Sequence, residues 1–308
     1  MRCLFQSFNM KKYLIKCLLI FFIVINLASS NLKAQNSGLY EWTKEDYDDA
    51  LAFTTQVVIG IIFHEIGHLV IDEFNVPNFT SEEDLADSFM AWHLIHIPSD
   101  YDNYAEYEKN SKESHAVIQA MSDYYYQNLL DMDYSNEFAN HATSNKRFFN
   151  IACFMKGANP NVFNSYFNKR DLIFNNENKR LIESLDKLCN YNYKQMFKAW
   201  WNIFQNDWET DLSKYKQKIS LNFKKTEDEM LNDFKLIAKD KINSFLQKMQ
   251  IILYENYKIN FLSCKDMFPK NYINAYYNGR NNQIIFCYEL VDEILTTKYN
   301  VILLKNSL

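Results

Sequence analysis

Apolar residues fill positions 57–71 almost without a break, and the run carries His64, Glu65 and His68. A pattern apolar on nearly all sides predicts a buried helix, over about 45–74, closed by Pro77, which cannot continue it. A second helix is expected to open in the acidic stretch 80–87 and to carry Phe89, Met90 and Trp92. The polar, Tyr-rich segment 98–110 reads as a loop or cleft rim. Over 111–132, Val117, Ile118, Met121, Tyr124, Tyr125 and Leu129 recur at helical spacing, most simply as core. The stretch from His141 to Cys153 leads into a further helix ending near Gly157 and Pro160, and the aromatic run 199–204 reads as a core helix. Over 221–257, Leu231, Phe234, Ile237, Ile242, Phe245, Met249 and Ile252 recur every three to five residues, predicting one long amphipathic helix. The pattern then changes: 258–264, 273–277 and 283–288 read as strands, with a turn at Asn278-Gly279. The class expected is α+β, predominantly helical, with a small sheet built from C-terminal strands.

Composition narrows this picture. Five glycines and four prolines in 308 residues fit a helical chain with few tight turns. A net charge of −5 with both signs interspersed offers no basic field for a phosphate backbone, so nucleic acid is not an expected partner. No Gly-rich phosphate loop is present. Lys11 and Lys12 precede an apolar stretch at 17–25, followed by small residues at Ala28-Ser29-Ser30 or Leu32-Lys33-Ala34; translation from Met10 would keep the same features. This predicts a cleaved signal peptide at 1–34, too short in its apolar part for a bilayer span of about 20 residues, and an exported, periplasmic or secreted chain with no permanent membrane span. The mature part, 35–308, is expected to be one domain: active-site helices over 45–96, a helical region over 111–257 and a strand hairpin over 258–290. It keeps Cys153, Cys189, Cys264 and Cys287, an even number that suggests two disulfides in an oxidising compartment. Proximity in sequence pairs Cys153 with Cys189 and Cys264 with Cys287; four buried free thiols are the alternative.

The chemistry is concentrated in His64-Glu65-Ile66-Gly67-His68. Histidines four apart share a helix face, where both imidazoles reach one Zn2+, and the adjacent Glu65 is placed to take a proton from the attacking water. Gly67 costs about 1 kcal/mol relative to Ala in a helix, so it is expected to admit a closely packed strand or to leave room at the metal. Glu83 and Asp87, four apart on the following helix, fit a third ligand and a carboxylate that orients a histidine, with Glu82 and Asp84 as substitutes for Glu83. Against this, Thr80 to Glu83 also fits a helix capping box. His93 and His96 are expected to be packed, not ligating. His141 is a candidate hydrogen-bond donor to a developing oxyanion, with a surface or capping role as the simpler reading.

Taken together, the H-E-x-G-H helix, the segment Glu82-Glu83-Asp84-Leu85-Ala86-Asp87, the run from Arg147 to Cys153 (R-F-x-N-I-A-C) and the pair Asn274-Ala275-Tyr276-Tyr277 and Cys287-Tyr288-Glu289-Leu290 resemble the bacterial exported zinc metallopeptidase-like proteins classed as a domain of unknown function. The resemblance implies a zincin-like active-site helix of the glutamate-zincin type, peptide or protein substrates, and Glu83 as third ligand. In that family the two C-terminal motifs precede the H-E-x-G-H helix, so this chain looks circularly permuted, with a partial duplication whose C-terminal copy is truncated as the alternative. The free edge of its sheet would then take an extended peptide by strand addition.

Overall fold

The computed structural model describes residues 43–77, 81–96, 104–130, 144–158, 176–205, 218–249, 251–265, 267 and 274–306. The expected signal segment 1–34 and His141 lie outside them. Within them the protein is α+β and predominantly helical. Seven α-helices and a four-stranded sheet follow in the order α1 (Lys44–Glu73), α2 (Glu82–Ile95), α3 (Tyr104–Leu130), α4 (Ser144–Ala158), α5 (Asn176–Phe204), β1 (Ile219–Phe223), α6 (Glu229–Gln247), β2 (Tyr257–Leu262), β3 (Ala275–Asn278), β4 (Gln283–Cys287) and α7 (Tyr288–Asn306).

Helix α1 is the axis of the fold. Thr43 and Asp46 form a reciprocal capping box that satisfies the first free amides. The helix ends at Phe74 and Asn75, the latter in the left-handed region at φ 49°, just before Pro77. Its apolar window is long enough to cross a bilayer, with mean hydropathy 1.5, yet 83% of that window is buried inside the fold. It packs against α2, α3, α6, α7, β3 and β4, which accounts for a pattern apolar on every side.

The close neighbour at Gly67 is a helix, not the strand anticipated. A Cβ there would stand 2.8 Å from the Ala86 Cα and 2.9 Å from its carbonyl oxygen. The missing side chain lets α1 and α2 cross nearly backbone to backbone, which brings the acidic start of α2 over the histidines.

Several expected boundaries are corrected. Helix α3 begins at Tyr104, inside the segment taken for a loop. The single helix expected over 221–257 is three elements. Leu221 belongs to strand β1, whose alternating burial is the period of a strand. Asp228 then caps α6 by accepting from the Leu231 amide, and Tyr257 opens β2. The hairpin expected over 258–290 is confined to β3 and β4, paired antiparallel with Tyr277 opposite Ile284. The sheet order is β1-β2-β4-β3, and β1, β2 and β4 run parallel. Phe223, Phe261 and Phe286 stack across those three strands at centroid spacings of 4.3 and 4.9 Å. After Cys287 the chain enters α7, whose Val291, Ile294 and Leu295 are buried.

Both expected cysteine pairs are bonded, Cys153 with Cys189 and Cys264 with Cys287. The first ties α4 to α5. The second ties the end of β4 to the residues just after β2.

Candidate functional site

The helical spacing of His64 and His68 places their rings 4.8 Å apart, edge to face, with the two Nε2 atoms 3.2 Å from each other. Helix α2 is set in register by Ser81, whose side chain accepts from the Asp84 amide. The Glu83 carboxylate turns toward α1. Glu83 Oε2 lies 3.2 Å from His64 Nε2, and Oε1 lies 3.5 Å from His68 Nε2.

The acids around the pair separate by role. Asp87, fully buried, sits with Oδ1 2.8 Å from His64 Nδ1. Glu82, half exposed, sits with Oε1 2.7 Å from His68 Nδ1. Each carboxylate stands where it accepts an Nδ1–H, so in the neutral ring protonated at Nδ1 the corresponding Nε2 keeps its lone pair. Asp84 faces elsewhere, toward the Asn150 amide at 3.4 Å. Of the three neighbouring acids at the start of α2, Glu83 alone converges with both Nε2 atoms.

The donor set fits a tetrahedral cation. Ligand atoms of His64, His68 and Glu83 all lie within 4.8 Å of one another, and the contacts given above run from 3.2 to 3.5 Å. Ligands at the usual Zn–N and Zn–O distances of about 2.0–2.1 Å around a tetrahedron stand about 3.3 Å apart. Two imidazole nitrogens and a carboxylate suit Zn2+ better than the hard, all-oxygen ions.

Beside this cluster is a cavity of about 130 Å³ lined by Ile61, His64, Glu65, Tyr124, Tyr125, Arg147, Asn274 and Leu290. Glu65 is buried. The last two lining residues come from the far end of the chain, so the strand pair and α7 complete the surroundings of α1 within the same molecule. Arg147, on α4, was visible in the sequence only as one letter of a motif. Its Nε donates to Asp87 Oδ2 at 2.9 Å and its Nη2 to Oδ1 at 2.6 Å, with the guanidinium 4.5 Å over the Tyr125 ring. The signal that marks it in the sequence is an arginine at the edge of the apolar face formed by Phe148, Ile151, Ala152 and Met155.

Electrostatics follow from these contacts. Burial and the Arg147 charge push His64 toward neutrality, but the Asp87 and Glu83 carboxylates outweigh them and hold its pKa up to about 9. Burial alone would raise Asp87; Arg147 and His64 reverse this and lower it to about 2. Burial drives the Tyr125 hydroxyl well above its ordinary range. His93 and His96 stand apart from this network: His93 is stacked between Phe63 and Phe89, and His96 Nε2 contacts the Tyr193 hydroxyl at 2.9 Å.

Neither the curated proteins nor the solved structures give a match. One family model matches residues 24–204, more than half of the chain, a range that contains His64, Glu65, His68, Glu83, Asp87 and Arg147 and leaves the sheet outside it. The two histidines, the carboxylates around them and this match lead to one statement of kinship: the chain belongs to the family described as "Putative metallopeptidase".

Proposed function

We propose that the protein is an exported, zinc-dependent metallopeptidase that hydrolyses peptide bonds. The observation that carries this reading is the convergence of His64 Nε2, His68 Nε2 and the Glu83 carboxylate at tetrahedral spacing, with Glu65 lining the cavity beside them. These three side chains hold the metal, and Asp87 and Glu82 fix the imidazole tautomers. A zinc ion in this set supplies a Lewis acid for the scissile carbonyl and makes water a competent nucleophile near neutral pH. Glu65 takes the proton from the attacking water and delivers it to the departing amine, a role that burial in a small cavity suits because bulk water is kept away. His141, the candidate oxyanion donor, lies outside the described residues and has no part in this derivation.

The substrate is an extended peptide or protein segment. β3 is an edge strand of the sheet and packs on α1, so its outer side offers main-chain groups for strand addition next to the site. Two disulfides and the charged-then-apolar N-terminus support an exported setting for the mature chain. The permuted order of motifs is part of the same reading: Asn274 and Leu290 reach the Glu65 cavity from the C-terminal end, as a fold completed by its last strands requires.

Zinc content and cleavage of a broad peptide library, measured on the wild type and on Glu65→Gln, test the proposal. Both proteins should hold one zinc, and the variant should lose activity by about 10²–10⁴-fold, the usual contribution of a positioned base. A wild type that holds zinc yet cleaves nothing, and is indistinguishable from Glu65→Gln, would replace the enzyme by a zinc-stabilised interaction module.

A further inference from the structure

We infer that Arg147 is a positioning residue of this site, which aims the His64 lone pair at the metal by locking the Asp87 carboxylate in a two-pronged grip. The inference rests on the zinc reading above and adds a residue to it from a third helix. Three observations meet here. Arg147 binds Asp87 through both Nε and Nη2, at 2.9 and 2.6 Å, which fixes the plane of the carboxylate and not merely its charge. Asp87 Oδ1, the oxygen that takes the Nη2 hydrogen, is also the one 2.8 Å from His64 Nδ1. The guanidinium is itself held by the Tyr125 ring on α3, 4.5 Å away.

The shared oxygen gives the arrangement its direction. Arg147 Nη2 lies 3.0 Å from His64 Nδ1 and 3.4 Å from its Nε2, so arginine and imidazole compete for space at one edge of the ring. Two hydrogen-bond donors, Nη2–H and Nδ1–H, cannot bond each other; both turn to Oδ1, which has a lone pair for each. A bare Nδ1 could accept from Nη2 at 3.0 Å, but it would then face the Oδ1 lone pairs at the shorter distance of 2.8 Å, a repulsive contact. With Asp87 immobile, the only tautomer of His64 free of that repulsion carries its proton on Nδ1 and leaves Nε2 as ligand. Without the fork, Asp87 would be a buried carboxylate free to turn about its last bond. The tautomer would then lose its reference.

The experiment compares wild type, Arg147→Met and Arg147→Lys. The methionine removes both prongs; the lysine keeps a positive charge and loses the second prong. Measured are zinc affinity by competition with a chelator, the visible spectrum of the cobalt-substituted protein, and kcat and KM on a cleaved peptide. Zinc should bind about 10–100-fold more weakly to the methionine variant, the usual cost of losing a partner that orients a ligand. The cobalt spectrum should change in both variants, because the ligand field reports the angle of the imidazole. Low-millimolar guanidinium salt should recover part of the zinc affinity of Arg147→Met and none of that of Arg147→Lys. A folded Arg147→Met with wild-type zinc affinity and cobalt spectrum would overturn the inference, and if that variant fails to fold, an unaltered Arg147→Lys would do so. A wild type that holds no zinc overturns the metal reading, and this inference with it; a wild type that holds zinc beside variants that hold it equally well overturns the inference alone.

Discussion

His64 and His68 on α1, and His93 and His96 on α2, are two histidine pairs within one core, and what separates them is not burial. His64 is 3% exposed and His93 0%, yet the first has its pKa held up to about 9 and the second is pushed down to about 3. For both, burial favours the neutral ring. His64 meets Asp87 and Glu83, whose negative charge reverses that preference; His93 meets the faces of Phe63 and Phe89, which do not. A core histidine thus keeps its charge where carboxylates from the crossing helix face it, and is held neutral where it is stacked between rings. Helix α2 supplies the acids from its first turns, whereas His93, farther along α2, is stacked between Phe89 of its own helix and Phe63 of α1.

The comparison breaks most sharply on the metal. Glu83→Ala removes the acid that faces both Nε2 atoms, and zinc affinity should fall by more than the roughly 100-fold that loss of an outer partner reaches. His93→Phe should leave one zinc per chain and an affinity within a few-fold of wild type. Zinc competition titrations of the two variants decide it: a Glu83→Ala protein with wild-type affinity would remove the third ligand, and a His93→Phe protein without zinc would show that the two pairs are not separate.

The i, i+4 histidine spacing and the unbroken apolar run were sufficient to place α1 and to put both histidines on one of its faces, because both are local properties of one helix. Choosing Glu83 among three adjacent acids was not local. It depends on Ser81, not Thr80, ending the helix, and on Gly67 letting α2 approach Ala86 so closely. Arg147 was hidden for a related reason: its partner Asp87 lies sixty residues earlier, and only the packing of α4 on α2 joins them. The parallel strand order was lost because β1 follows the helical rhythm closely enough to merge with α6, and only the Asp228 cap separates them. Helix α7 went unread behind the strand that precedes it.

A second, smaller effect follows from the aromatic pair. Among the described residues the His93 ring nitrogens have no hydrogen-bond partner, and burial holds the folded-state pKa near 3 against about 6.5 in the unfolded chain. Between those values the unfolded chain binds one more proton than the folded one, so stability falls as the pH drops below 6.5. At pH 5 the loss from this group alone is about 2 kcal/mol, at 1.36 kcal/mol per unit. His96, lowered to about 4 by burial, acts in the same direction. In urea melts, His93→Phe should gain on wild type by about 2 kcal/mol between pH 6.5 and 5; a constant gap over that range would show that His93 is not a buried neutral ring.

The smallest effect tests the His64 and His68 pair from within. His64 and His68 each give Nδ1–H to a carboxylate at nearly the same distance, 2.8 Å to Asp87 and 2.7 Å to Glu82. The partners differ in setting: Asp87 is 0% exposed and gripped by Arg147, whereas Glu82 is 52% exposed. An exposed pair is screened by water and gives up side-chain entropy to hold its geometry, so it contributes about 1 kcal/mol or less. Glu82→Gln also keeps a carbonyl oxygen able to accept from His68 Nδ1, so the tautomer survives and zinc affinity should change by no more than about threefold. Asp87→Asn should weaken zinc by about 10–100-fold, since the Arg147 fork then meets an amide that offers one acceptor where two were used. Equal losses in the two variants would mean that burial of the outer partner does not set its contribution, and that both histidines are oriented by the helix alone.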